Sequence, residues 1–238
     1  MSRIKFAFGS KIFEIVYFST KTNIKRAEFV KIDKSFSRDR PDMQTVLQKK
    51  KDYAIIKPIK GRQDRKAMET ERLIIDVLRE SDKADYFEAI SHDRKVLQTF
   101  ICNYEENMES FDFSRNLAIP DLFAIRLKET GKLIGIILIC EKKETSCEIG
   151  YGIGSAYWNR GYVTEATKRF LEYCFCERGF ETVYASFFTG NEASRRVMEK
   201  CGMKYSHFVE KELTYLGMER DLTYYAINKE EYNKIYQK

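Results

Sequence analysis

Residues 147–178 read CEIGYGIGSAYWNRGYVTEATKRFLEYCFCER, and three patterns follow one another along them. Glu148–Ile153 is strand-like, with glycines at 150, 152 and 154 that thin its side-chain cover. Gly154–Arg160 is a glycine-bearing turn. From Gly161 onward the apolar positions fall at helical spacing, so Val163, Ala166, Phe170 and Cys174 share one face. A helix starting there leaves its first backbone N–H groups without intrahelical partners, and its dipole adds partial positive charge. Strand, open turn and bare helix start together make a place for a phosphate, to which Arg160 adds a full charge. A glycine before a helix also serves simply to ease a tight turn, so this stretch alone leaves both readings open.

The wording goes further than the pattern. Trp158-Asn-Arg-Gly-Tyr-Val-Thr-Glu-Ala166 resembles the acetyl-CoA signature of the GNAT acetyltransferase superfamily, in its RimJ/RimL-like branch, where a tryptophan often replaces the usual Gln or Arg. The resemblance implies that Trp158, Asn159, Arg160, Gly161, Tyr162, Val163 and Thr164 hold the diphosphate of acetyl-CoA. Two positions depart from the pattern. Asn159 stands where a glycine is frequent and Val163 where a small residue is usual, and both add bulk beside the diphosphate.

About 30 residues on, Asn191-Glu-Ala-Ser194-Arg-Arg-Val-Met-Glu-Lys200-Cys-Gly202 resembles the second signature of the same branch. There the resemblance implies that Asn191 hydrogen-bonds the pantetheine arm and that Ser194 lies near the thiol, able to donate a proton to it. Read alone, the two residues need only serve a helix start, because Asn is a favoured N-cap. The resemblance covers roughly residues 69–228. It implies an α+β fold: a GNAT-like mixed, mostly antiparallel sheet flanked by helices, with a V between the strand ending at Ile153 and the strand ending at Phe188. Backbone N–H groups near Tyr151 and Ile153 would then bind pantetheine and polarise the thioester carbonyl, a contribution of about 3–4 kcal/mol per donor where such donors have been measured.

In such a site an amine attacks directly within a ternary complex, and the amine must be neutral. An α-amino group of pKa about 8 costs about 1 kcal/mol to deprotonate at pH 7, whereas a lysine at about 10.4 costs more than about 4 kcal/mol. Glu148 is the candidate general base, directly or through water; the alternative is an exposed strand carboxylate. Many polyamine-acetylating relatives carry a tyrosine acid at the position that is Met198 here, which leaves Ser194 as the candidate acid.

Composition sets bounds. The chain has 238 residues, 33% charged and 43% hydrophobic, as expected of a globular protein. Its longest apolar run, Leu133–Cys140, is far too short for a membrane-spanning helix, and its start does not read as a secretory leader. The six cysteines are scattered without a CxxC pair and there are only two histidines, so a reduced, cytoplasmic protein with no metal and no membrane partner is expected. Charge is uneven. Residues 1–67 hold 18 Lys and Arg against 7 Asp and Glu, a net +11; the remainder holds 24 against 29, a net −5.

That asymmetry implies two units with different surfaces: a basic, β-rich accessory segment over 1–60 and, after a polar linker over 61–70, a second unit over 71–238, which the resemblance identifies as an acetyltransferase domain. Residues 4–18 form two strand-like runs around Gly9-Ser10, Ala27–Ile32 a third, and Pro41 opens a helix reaching Lys51. This beginning resembles the N-terminal part of YgjP-like metallopeptidases, but no HExxH occurs, so peptidase activity is not carried over. Next come a strand at Glu71–Leu78, helices at Asp82–Ile90 and Arg94–Cys102, and a loop-exposed polar pair, His92 and Asp93. Strands are then expected at 121–128, 132–141, 148–153, 182–188, 203–212 and 219–228, with helices from Gly161, from Asn191, and at the end.

Two functions fit. The first is transfer of an acetyl group from acetyl-CoA to a protein N-terminus or a small amine, by a monomer or homodimer. The second is a basic RNA- or ribosome-binding protein whose acetyltransferase-like part senses CoA or is inert, because the +11 segment suits phosphate contact. The aromatics of that segment alternate with aliphatics as a core would, without a recognisable RNA-binding motif, which favours the enzyme.

Overall fold

The computed structural model describes residues 65–216 and 218–237, together with the strand backbone over 2–8, 11–20 and 23–31. The expected turn at Gly9-Ser10, the helix from Pro41 to Lys51 and the first part of the expected linker lie outside the described residues. The chain divides into two compact units, Met1–Lys60 and Gly61–Lys238.

In the first unit β1 (Ser2–Phe8), β2 (Lys11–Thr20) and β3 (Asn23–Lys31) form an antiparallel sheet in the order β1-β2-β3. Phe8 pairs with Lys11 and Thr20 with Asn23, so each neighbour follows directly in sequence.

The second unit is built on an eight-stranded sheet. Its strands are β4 (Met68–Glu69), β5 (Leu73–Val77), β6 (Leu122–Leu127), β7 (Leu133–Lys142), β8 (Ser146–Ile153), β9 (Thr182–Phe188), β10 (Lys204–Tyr215) and β11 (Met218–Asn228). Their spatial order is β10-β11-β9-β8-β7-β6-β5-β4. Every pairing is antiparallel except β8 with β9. That one parallel pair requires a crossover, and helix α3 (Tyr162–Glu172, continued by a π turn over Tyr173–Glu177) supplies it. The mixed, mostly antiparallel sheet expected from the sequence is the one observed.

Strands β6 and β7 are buried on both faces, which is why Leu133–Cys140 reads as an unbroken apolar run rather than an alternation. One layer gathers Phe123, Ile125, Ile149 and Val183 against Ala166, Phe170 and Cys174 of the α3 segment, the face marked by helical spacing. Phe123 meets Phe170 and Tyr173 edge-on at 5.5 Å in both cases. Gly179 (φ +72°) ends the crossover. Helix α4 (Glu192–Lys200) and α5 (Lys229–Tyr236) complete this unit, which also contains two single-turn helices, α1 (Lys83–Tyr86) and α2 (Ser114–Leu117).

One expectation fails locally. The helix expected over Arg94–Cys102 is only a 3₁₀ turn, Val96–Gln98. Beyond it the backbone is held by tertiary contacts: the Tyr215 hydroxyl binds the carbonyl oxygens of Phe100 and Cys102, each at 3.1 Å. The helical stretch expected over Asp82–Ile90 is observed, as a 3₁₀ turn, α1 and a π turn in direct succession. The short strand β4, inside the expected linker, was not foreseen.

Candidate functional site

Strands β8 and β9 run side by side only from Ser146↔Thr182 to Ile149↔Ala185. Beyond that point each stays with its other neighbour: β8 pairs with β7 as far as Ile153↔Gly135, and β9 with β11 as far as Phe188↔Leu222. The sheet therefore opens into a V. The N–H of Gly154 donates to the carbonyl of Ile134 on the β7 side. Strand alternation then turns the N–H groups of Ile153 and Tyr151 toward the opening, where no β9 partner faces them. These are the two backbone positions singled out in the sequence. The Ile153 carbonyl is occupied: the Trp158 indole nitrogen donates to it at 2.9 Å. Trp158 thus closes the turn on itself, a role that its place in the signature did not reveal.

The turn leads into α3 through Asn159, Arg160 and Gly161. Asn159 has φ +60° and Gly161 φ +79°, both left-handed. Asn tolerates that conformation better than other residues with a Cβ, so its presence in a usual glycine position is accommodated by the backbone. The two left-handed residues bend the chain immediately before α3, whose first N–H groups are suited to an anion. Residues 158–161 are exposed, and the Arg160 guanidinium lies 5.9 Å from the Tyr157 ring. Tyr162 and Val163 are partly buried against the core, so the bulk of Val163 is taken up by packing. Thr164 is half-buried, and its carbonyl accepts from the Cys201 thiol at 3.7 Å.

Across the V, Asn191 caps α4: its Oδ1 accepts from the N–H of Ser194 at 3.2 Å, and its Nδ2 donates to the Thr99 carbonyl at 3.4 Å. The Ser194 hydroxyl lies 3.0 Å from that of Tyr151. Burial pushes the Tyr151 phenol well above its ordinary pKa, so it stays protonated and able to donate. The position of a polyamine relative's tyrosine, Met198, is fully buried.

On the other face of β8, Glu148, Gly150 and Gly152 line up. A Cβ at Gly152 would stand 2.9 Å from the Phe100 ring, and one at Gly150 would stand 2.8 Å from the Cys140 sulfur. The glycines therefore let the segment around Phe100 lie flat on the strand, as one wall beside the opening. Glu148 accepts a hydrogen bond from the Ser186 hydroxyl at 2.6 Å. Burial raises its pKa above the usual carboxylate value despite that bond, and the carboxylates of Glu141 and Glu212 add to the rise.

His92 is exposed as expected, with Nδ1 2.8 Å from the Glu105 carbonyl and its ring stacked on Phe87 at 4.8 Å. Asp93 is more than a loop residue. It accepts from the N–H groups of Lys95 and of Ser155, tying the Phe100 segment to the turn after β8.

Comparison with known proteins places this geometry. Residues 72–204 match the family described as "Acetyltransferase (GNAT) domain". YdaF of Bacillus subtilis, provisionally named a ribosomal N-acetyltransferase, is 30% identical over 173 residues, covering 68% of this chain and 94% of that protein. A GNAT-family acetyltransferase structure from Bacillus anthracis superposes with a TM-score of 0.61 at 28% identity, covering 69% of this chain and 99% of the other. The structure of a spermidine N-acetyltransferase from Vibrio cholerae, in complex with CoA and spermine, superposes with a TM-score of 0.59 at 16% identity, covering 68% and 99%.

Proposed function

This chain belongs to the GNAT acetyltransferase family, and on that premise we propose that it acetylates a primary α-amine, in the first instance a protein N-terminus, by direct attack in a ternary complex. Acetyl-CoA, the co-substrate of the fold, supplies the acetyl group as an activated thioester. The observation that carries the proposal is the parting of β8 and β9 after Ile149 and Ala185, which turns two backbone donors into an opening beside an exposed turn with two left-handed residues.

In this reading the residues divide the work. Asn159–Gly161 and the first turn of α3 hold the diphosphate. The N–H groups of Tyr151 and Ile153 hold the pantetheine arm and polarise the reacting carbonyl. Glu148, with its raised pKa, takes the proton from the incoming ammonium. The Ser194 hydroxyl, backed by Tyr151, donates a proton to the departing sulfur.

An α-amine is favoured over a lysine because it costs about 3 kcal/mol less to deprotonate at neutral pH. The name of YdaF points the same way. A small amine is the second reading, supported by the spermidine N-acetyltransferase likeness in fold, but Met198 stands where that chemistry commonly has its tyrosine acid. The test is thiol release from acetyl-CoA with a panel of N-terminal peptides, lysine-only peptides with blocked N-termini, and polyamines. Turnover confined to free N-termini supports the proposal; turnover confined to polyamines overturns the acceptor assignment.

A further inference from the structure

The turn that leads into α3 is exposed, and the Trp158 bond to the Ile153 carbonyl braces it from within. One further side chain braces it from far away in sequence. Arg72, just before β5, directs its Nη1 to the carbonyl of Arg160 at 3.1 Å. Its Nε and Nη2 both meet Oε2 of Glu165 at 2.7 Å, and its own backbone N–H meets Oε1 at 2.9 Å. The guanidinium also lies 4.5 Å from the centre of the Tyr162 ring, and the Thr70 hydroxyl donates to the same Glu165 carboxylate. Arg72 thus binds the last carbonyl before Gly161, the first aromatic of α3 and the acid in its first turn.

Glu165 poses a conflict. A carboxylate in the first turn of a helix suits the helix dipole, yet it competes with a diphosphate for the same partial positive charge. Burial would raise the Glu165 pKa, but hydrogen bonds from Thr70 and Arg72 outweigh it and hold the carboxyl below its usual range, so the group is anionic at neutral pH. A cation placed against it is needed before an anionic ligand can share the helix start. Arginine meets this need with separate arms for the carboxylate and the carbonyl, which a lysine cannot match.

We propose that Arg72 is a positioning residue for the diphosphate end of acetyl-CoA: it fixes the Asn159–Gly161 turn by its carbonyl and neutralises Glu165 beside it. The proposal rests on the acetyltransferase reading above. It makes the role of Arg72 specific to the nucleotide half of the co-substrate, because the acetyl and pantetheine end is held by β8 and α4.

The test compares acetyl-CoA with S-acetylpantetheine, the same thioester without diphosphate or nucleotide, on the full chain. Arg72→Ala should raise the KM for acetyl-CoA about tenfold, the loss expected for one charge-assisted partner, while kcat and the KM for S-acetylpantetheine stay within about twofold. Arg72→Lys keeps the charge without the second arm and should recover part of the loss; it also carries the test if the alanine variant does not fold. In a Glu165→Gln background the alanine change should cost less than in the parent, since there is less charge to offset. An equal rise in KM for both thioesters, or no rise in either, overturns the proposal. Calorimetry with CoA separates the two levels: a parent protein that binds no CoA overturns the acetyltransferase reading and this proposal together, whereas normal parent binding unaffected by Arg72→Ala overturns only the role of Arg72.

Discussion

The phenol oxygen of Tyr151 lies 3.0 Å from the Ser194 hydroxyl and 3.3 Å from the Ser194 carbonyl oxygen. One residue comes from β8 and the other from the first turn of α4, so the bond joins the two sides of the open V. A serine alone is a weak acid. A serine in contact with a buried phenol can pass on a proton and be resupplied from the side. Ser194→Ala should therefore lower kcat by about a hundredfold, at the low end of what general acid catalysis contributes, with the KM for acetyl-CoA within about twofold. Tyr151→Phe removes only the relay and should fall between parent and Ser194→Ala. Steady-state kinetics decide: an unchanged kcat in Ser194→Ala removes both residues from the proton path.

Asn191 has two tasks that substitution can separate. Its Oδ1 caps α4 and its Nδ2 reaches Thr99. Asn191→Ala loses both and should destabilise the protein by about 1 kcal/mol through the cap, while raising the KM for acetyl-CoA. Asn191→Asp keeps the cap and loses the amide donor. Its thermal unfolding should fall between the parent and the alanine variant, because the cap stays while the bond to the Thr99 carbonyl is lost, and its KM should follow the alanine variant. If the aspartate variant instead restores KM, the family role assigned to Asn191 reduces to capping.

How much of this could be read from the chain depended on distance along it. Strand β9 was expected at the residues observed, because Thr182–Phe188 is bounded by its own punctuation, Gly179 before it and Asn191 after it. Helix α3 and its buried face followed from spacing alone. The segment 94–102 failed because its apolar pattern serves tertiary packing: Phe100 lies against two glycines of β8, and Tyr215, over a hundred residues away, holds the backbone. Arg72 gave no local signal for the same reason, since its partner Glu165 is 93 residues distant. Of the residues named as site residues, the structure brings Tyr151 and Ser194 together across the V. Their hydrogen bond could be found only in three dimensions.

Glu148 makes a prediction in pH. Its folded pKa lies above the unperturbed value, chiefly because the carboxylate is buried. As a base it works only when ionised, so kcat/KM should rise with pH through that elevated value rather than through the ordinary carboxylate range near 4.3. The same shift affects stability with the opposite sign: protonation is favoured in the folded state, so the contribution is present below the unfolded pKa and lost as pH rises through the folded one. Glu148→Gln should remove the limb at that elevated carboxylate value, leave the separate limb that the amine contributes at about 8, and raise stability at neutral pH. A rate profile that keeps the carboxylate limb in Glu148→Gln shows that another group is the base.

The strand that follows Arg72 is itself anchored by a buried charge cluster, and this yields the sharpest stability prediction. Arg126 on β6 is 6% exposed; its Nε meets Asp76 of β5 at 2.7 Å, and its two terminal nitrogens meet Asp82 at 2.6 and 2.7 Å. Arg79 also pairs with Asp76 from the more exposed side. Removing the central cation leaves the buried Asp82 carboxylate with only the Arg79 backbone N–H against it, so Arg126→Met should cost about 3–5 kcal/mol, read from the shift in urea midpoint. The cost lies mainly in the stranded carboxylate. Adding Asp82→Leu to Arg126→Met should therefore recover a large part of it, although a second polar contact has been removed. Non-additivity in that direction distinguishes an uncompensated charge from lost packing. If the double variant is less stable than either single one, the cluster holds β5 and β6 through its contacts rather than through charge balance.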